Sequence, residues 1–325
     1  MIYMIYLILA AIVVLLSNKA ASYVDMLEKR TRLSGAFLGG VMLSAVTSLP
    51  ELFTSLSSTI LLHKPGMCIG NILGSDIFNL AVLALLMLFY YRSFGSARVS
   101  SSHTRVALFV CLIYIALGLN MLHILDFEFI TISMTSVIIM VLYIFNVKQM
   151  SSDNTDTLTQ VKKDEASKDA NEQHHSITLN QLVLRFVLVS IGIVAVSIAI
   201  TYATDAIAVK LDLGQGIAGA ILLGVATSLP EVSSTIALFR MKNFNIAIGN
   251  IIGSNIFNFL ILTLADIFYV GSGLYVFNDP KTMNLLVFGF IGTLAMLAML
   301  RFKNKCTQIV CPLCAFGCYV AFLVV

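Results

Sequence analysis

Charge is what this sequence most conspicuously lacks. Only 11% of its 325 residues are Asp, Glu, Lys or Arg, and 58% are hydrophobic. A soluble globular domain is about a quarter charged, so the composition excludes an ordinary water-soluble fold. Also missing is the period-two alternation over about ten residues that marks a membrane β-barrel strand. What remains is long unbroken apolar runs, and a helix needs about 20 such residues to cross the hydrocarbon. Ten runs meet or approach that length, at roughly 2–18, 33–62, 67–90, 104–122, 128–147, 181–208, 214–240, 244–269, 283–301 and 306–325. The expected fold class is an all-α integral membrane protein of ten transmembrane helices, with the lipid bilayer as its first partner.

Other absences narrow the function. No Lys or Arg precedes the first run, and Lys19 follows it. That order is the reverse of a secretory signal, so the run is read as a retained helix. There is no GxxxxGK[ST] phosphate loop, which disfavours ATP hydrolysis and any enzyme class built on it. There is no DxDxDG-type calcium loop. Of six cysteines, Cys311, Cys314 and Cys318 lie inside the last run, where lipid offers neither water nor outer-sphere partners for a metal, and packing by small residues is the reading. No cofactor, nucleic acid or obligatory protein partner is indicated.

The basic residues are few, and their placement sets orientation. Of 20 Lys and Arg, all but Lys64, Lys210 and Lys281 fall in odd-numbered connections or the helix ends beside them. By the positive-inside rule both termini are outside and the long central connection is cytoplasmic, in a plasma membrane or the inner membrane of a bacterium. This topology accounts for the net charge of +3. The central connection, 148–179, is rich in Ser, Asp, Asn, Lys and Thr and reads as a solvated linker. It divides a first five-helix unit, 1–147, from a second, 180–325.

The two units share a repeat. Thr47-Ser48-Leu49-Pro50-Glu51 returns unchanged as Thr227-Ser228-Leu229-Pro230-Glu231, and GNILGSDIFN from Gly70 to Asn79 returns as GNIIGSNIFN from Gly249 to Asn258. Equivalent points are five predicted helices apart. Five is odd, so the second copy crosses the membrane in the opposite sense, an architecture that places binding sites near the midplane.

Acids are nearly absent from the runs. Of 17 Asp and Glu, only Glu51, Asp76 and Glu231 fall well inside them. A carboxylate costs about 2.5–3.5 kcal/mol or more at the centre of a bilayer, so it usually faces a cavity and marks an ion path. Thr47, Ser48 and Glu51 lie near one helix face, as do Thr227, Ser228 and Glu231. Pro50 and Pro230 free carbonyls in the preceding turn, near Ser44 to Val46 and Gly224 to Ala226. Ser75 and Asn79, and likewise Ser254 and Asn258, are four apart and share a face. Asp76, about 100° around from Ser75, is expected to point away from it. The glycines at 70, 74, 249 and 253 form small-xxx-small faces for close helix approach. These oxygens suit hard cations such as Ca2+ and Na+, and no His or Cys on either face invites zinc or copper.

At these residues the sequence resembles the sodium/calcium exchanger family of the cation/calcium antiporters, as a short member of the prokaryotic type. The resemblance implies that Thr47, Ser48, Glu51, Ser75 and Asn79 form half of the ion site. Thr227, Ser228, Glu231, Ser254 and Asn258 form the other half, with the carbonyls of Ser44 and Gly224. It also implies that the first and sixth helices slide past the other eight. One departure stands out: many sodium/calcium exchangers carry Asp where this chain has Asn258, and potassium-dependent members carry Asp at the place of Asn79 or its counterpart, whereas here both are Asn. The function expected is Ca2+/Na+ antiport by alternating access. The open alternatives are the same fold coupled to H+ or carrying another divalent cation, a cation channel, and a membrane interaction protein.

Overall fold

The computed structural model of the chain describes residues 2–31, 43–95, 99–125, 127–129, 132–148, 178–269, 273–275, 280–302 and 304–324. Residues 149–177, nearly all of the polar linker, lie outside this set, as do 32–42 of the second run. The described chain is almost wholly helical. Its main helices are α1 (Ile2–Thr31), α2 (Leu43–Thr47), α3 (Leu49–Leu56), α4 (Pro65–Phe89), α5 (Ser101–Met121), α6 (Met134–Lys148), α7 (Leu179–Lys210), α8 (Gln215–Arg240), α9 (Phe244–Phe268), α10 (Pro280–Arg301) and α11 (Thr307–Val324). Apolar runs in lipid take this form because a helix satisfies its backbone groups internally.

Local signals set several ends. Pro65 and Pro280 stand at the first positions of α4 and α10, where a missing N–H has no cost. Ser100 caps α5 by accepting from the Ser102 N–H at 3.3 Å. Thr178 and Gln181 form a capping box at the start of α7, with bonds of 3.4 and 3.2 Å. Lys210, Arg240 and Arg301 fall in the last turns of α7, α8 and α10, where the helix dipole favours a cation.

Eight described helices are long and apolar enough to cross a membrane: α1, α4, α5 and α7 to α11. The other two expected spans differ from a simple rod. The run 33–62 is interrupted at Ser48, between α2 and α3, and ends in a π-helical turn at Ser57–Leu61. The run 128–147 begins with an antiparallel pair of short strands, β1 (Glu128–Phe129) on β2 (Ile132–Ser133), before α6 starts. Conversely, α1 runs on to Thr31, well past the apolar stretch that ends near residue 18. A second π-helical segment, Ala218–Leu223, lies within α8.

The helices are not equivalent in depth. In α4 and α9, 67% of the apolar window is buried, against 17% in α1 and α7. α4 touches α3, α8, α9, α10 and α11, so almost every face of it meets another helix. The main core gathers around α4, α5, α9 and α10, with Tyr114 edge-on to Phe259 at 5.1 Å. α1 and α7 lie along one another at the periphery. They join the rest through two small satellite clusters, one around Ala10, Met67, Ile200 and Ala218 and the other around Ala20, Val46 and Ile193.

The close approach expected from the glycines occurs between α4 and the first turns of α8, Gly216 and the π segment. A Cβ on Gly70 would sit 2.2 Å from the Gly216 carbonyl oxygen, and one on Gly74 would sit 2.3 Å from the Ala220 Cα. Gly219 completes the contact from the other side, 2.2 Å from the Met67 carbonyl. Only glycine permits backbones this near. Gly249 differs from its counterpart Gly70: it faces the His103 ring rather than a helix backbone.

Candidate ion-binding site

Glu51 and Glu231 are 1% and 0% exposed, and the two halves of the chain cross at them. The Ser48 hydroxyl donates to Glu231 Oε1 at 2.9 Å, and the Ser228 hydroxyl donates to Glu51 Oε1 at 3.2 Å. Each glutamate is thus held by the hydroxyl that precedes the other glutamate by three residues, and the two carboxyls lie within each other's electrostatic reach. Thr227 stands near the Glu51 carboxyl, and Thr47 and Ser254 near that of Glu231. The second oxygen of each, Glu51 Oε2 and Glu231 Oε2, has no hydrogen-bond partner.

The prolines make this crossing possible. Lacking an N–H, Pro50 cannot bond the carbonyl of Val46, and Pro230 cannot bond that of Ala226. The chain bends at Ser48, whose φ and ψ of −88° and 12° leave the helical region. α8 instead passes through Pro230 without a break. The carbonyls of Ser44 and Gly224, expected as ligands, already accept hydrogen bonds. Ser44 takes the Ser48 N–H at 3.0 Å and the Thr47 hydroxyl at 3.2 Å. Gly224 takes the Ser75 hydroxyl at 3.2 Å.

Two asparagines that sequence reasoning passes over position the glutamates. Asn71 Nδ2 lies 3.4 Å from the Glu51 carbonyl, 3.0 Å from Thr54 Oγ1 and 2.9 Å from Ser55 Oγ. Asn250 repeats this on Glu231, Ser234 and Thr235 at 3.4, 3.0 and 3.1 Å. Both belong to the repeated GNI block, the signal that could have found them. The Asn71 Oδ1 in turn faces the Thr227 hydroxyl at 3.5 Å.

Asp76, expected to point away from the Ser75–Asn79 face, meets a residue of the second half: Asn258 Nδ2 donates to Asp76 Oδ1 at 2.9 Å, and Asp76 Oδ2 has no partner. Asn79 Nδ2 donates to Asn255 Oδ1, and Asn255 Nδ2 to the Asp76 carbonyl, both at 3.1 Å. The oxygens of Asn79, Asn258 and Ser254 are left unpartnered. Of the residues singled out from sequence, Ser48 with Glu231 and Ser228 with Glu51 are brought into direct contact. Asn79 and Asn258 sit in the adjoining amide network.

Chemically, this is a buried interior with a surplus of acceptors. Buried acceptors left unmatched cost about 1–3 kcal/mol each, more when charged. A dehydrated hard cation matches them, because it takes carboxylate, hydroxyl and amide oxygens alike. Among the described residues, no three His, Cys, Asp or Glu side chains cluster as a transition-metal site.

Comparison with known proteins agrees with this chemistry. The family described as "Sodium/calcium exchanger protein" matches residues 1–148 and 181–325. An uncharacterized membrane protein of Methanocaldococcus jannaschii is 25% identical over 235 residues, 71% of this chain and 70% of that protein. The sodium/calcium exchanger MaX1 of Methanosarcina acetivorans is 39% identical over 89 residues, 26% of this chain and 25% of that one. Among solved structures, the sodium-calcium exchanger NCX_Mj superposes with a TM-score of 0.61 at 20% identity, covering 100% of this chain and 99% of that one. The H+/Ca2+ exchanger CAX superposes with 0.67 at 12% identity, covering 99% and 87%. The chain is a multi-pass membrane protein and belongs to the sodium/calcium exchanger family.

Proposed function

We propose that this chain is a secondary active antiporter that exchanges Ca2+ for Na+ by alternating access at the Glu51–Glu231 crossing. Thr47, Ser48, Ser75, Asn79, Thr227, Ser228, Ser254 and Asn258 supply further oxygens. In this reading ten crossings form two inverted five-helix repeats. The observation that carries it is the reciprocal pair of hydrogen bonds, Ser48 to Glu231 and Ser228 to Glu51, which leaves one free oxygen on each buried carboxylate. Two negative charges facing one another repel unless a divalent ion or two monovalent ions lie between them, and that makes occupancy mutually exclusive. The similarity to the Methanosarcina sodium/calcium exchanger favours Na+ as coupling ion. Asn rather than Asp at positions 79 and 258 keeps H+ coupling as the second reading, because it leaves the central oxygen set with fewer fixed charges.

The test is 45Ca2+ uptake into proteoliposomes under imposed outward Na+, H+ or K+ gradients. Uptake driven by Na+ alone is expected; uptake driven only by H+ would replace Na+ as the coupling ion. Glu51→Gln and Glu231→Gln should each abolish uptake. Unit charges 4 Å apart at an effective dielectric of 20 attract by about 4 kcal/mol, a divalent ion doubles this, and each 1.4 kcal/mol is tenfold. Wild-type flux in either variant, at equal expression, would make the pair structural.

A further inference from the structure

We propose that Asp76, with Asn79 and Asn258, forms a subsite for a monovalent hard cation of the Na+ class beside the glutamate pair. The inference deepens the antiporter reading and rests on it for the role of the ion in exchange. The second copy of the repeat has Asn255 at the place of Asp76, so the subsite exists once and makes the two halves unequal.

The hydrogen bonds fix which atoms are available. A backbone carbonyl only accepts, so the amide of Asn255 must present Nδ2 to the Asp76 carbonyl. Its Oδ1 is then the atom facing Asn79, which must answer with Nδ2. That turns Asn79 Oδ1 outward, with no partner. An ionised carboxylate also only accepts, so Asn258 presents Nδ2 to Asp76 Oδ1, and its own Oδ1 is likewise left over. Three amides are thus oriented by a chain of constraints rather than by chance, and the chain leaves three oxygens unmatched: Asp76 Oδ2, Asn79 Oδ1 and Asn258 Oδ1. All three residues are at most 1% exposed. A carboxylate buried for structure alone normally has its lone pairs satisfied. The Tyr114 hydroxyl, also without a hydrogen-bond partner, lies within electrostatic reach of Asp76.

Charge selects the ion class. One carboxylate among neutral amide oxygens carries a single negative charge, which one monovalent cation cancels and a divalent one overshoots. The glutamate pair carries two and matches Ca2+. A third carboxylate within the same interior therefore raises the number of monovalent ions that can be charge-balanced, without adding a ligand to the divalent site.

The test is equilibrium binding of 22Na+ and 45Ca2+ to the purified full-length protein, alongside Na+-driven 45Ca2+ flux. Asp76→Asn is expected to raise the Kd for Na+ about tenfold more than the Kd for Ca2+, as loss of one unit charge from a low-dielectric site requires. Adding Asn258→Asp to that variant moves the carboxylate across the observed hydrogen bond and is expected to restore Na+ binding. Equal shifts for both ions, no shift, or no rescue by Asn258→Asp in a protein that unfolds at the wild-type temperature would each overturn the subsite. If Asp76→Asn does not fold, Asp76→Ser is expected to show the same differential, and equal shifts for both ions in that variant would overturn the subsite in the same way. Wild-type protein that binds both ions but exchanges neither would sink the antiport reading and leave the subsite standing; normal exchange with equal shifts in Asp76→Asn would do the reverse.

Discussion

Asn71 and Asn250 act on the site without facing its free oxygens. Each turns its amide nitrogen on the glutamate's own carbonyl and on the two hydroxyls in the next turn, which favours one rotational setting of the helix that carries the carboxylate. Outer partners of this kind typically contribute 10–100-fold in ion affinity. Asn71→Ala and Asn250→Ala should each raise the Ca2+ concentration for half-maximal flux about tenfold while lowering the maximal rate much less. A fall in folded protein at an unchanged half-saturating concentration would mean that the amides only stabilise. The glutamates are legible from sequence because a carboxylate in an apolar run is costly and therefore rare. The asparagines are not, since an amide within a helix is cheaper and has ordinary packing uses. Asp76 lies about 100° around α4 from Ser75, and because α4 has several interior faces it still meets the second half, at Asn258, while Ser75 meets Gly224.

At the scale of elements, the sequence makes the long uniform helices plain and leaves the irregular ones obscure. α4, α9 and α10 follow their apolar runs to within a few residues. The break at Ser48 can be placed near Pro50, but the same motif leaves α8 continuous at Pro230, so proline alone does not decide a break; what packs around it does. The strand pair β1 and β2 lies inside an apolar run rich in Ile, where strand and helix read alike. The glycine face of α4 is legible, although its partner, the π segment of α8, is not. That contact yields a sharp expectation. Gly74→Ala places a methyl 2.3 Å from the Ala220 Cα, and overpacking of this sort costs about 1–3 kcal/mol. Gly317→Ala, with nothing within 4 Å of the added carbon, is the matched control. The chain has no Trp, so unfolding is best followed by a thiol-reactive dye, which reaches the buried Cys68 and Cys111 only as the bundle opens. Gly74→Ala should unfold at a clearly lower temperature and Gly317→Ala at that of the wild type; equal values would mean that α4 and α8 can part at no cost.

For the molecule as a whole, the question is how the pair α1 and α7 relates to the rest. Besides the two satellite clusters, they meet the other helices through a bond from the Tyr6 hydroxyl to the Leu222 carbonyl at 2.5 Å, one from the Ser233 hydroxyl to Asn18 Oδ1 at 2.9 Å, and an ion pair between Lys64 and Asp205. The central connection joins α7 to the first half, so its side of the membrane fixes the polarity of any movement. The excess of Lys and Arg in odd-numbered connections argues that it is cytoplasmic. Ser167→Cys should therefore resist a membrane-impermeant maleimide in sealed cells and react once they are permeabilised. Asp212→Cys, at the exposed turn after α7, belongs to an even-numbered connection and should react from outside without permeabilisation. The native exposed Cys306 lies in an odd-numbered connection and should behave like residue 167, so wild-type protein sets the background. Labelling of Ser167→Cys in sealed cells, or protection of Asp212→Cys, would invert the topology. Because the linker is polar and lies between the halves, shortening it within 151–175 should leave Na+-driven 45Ca2+ flux intact. Loss of flux with folding preserved would mean that the linker takes part in transport rather than merely tethering the two halves.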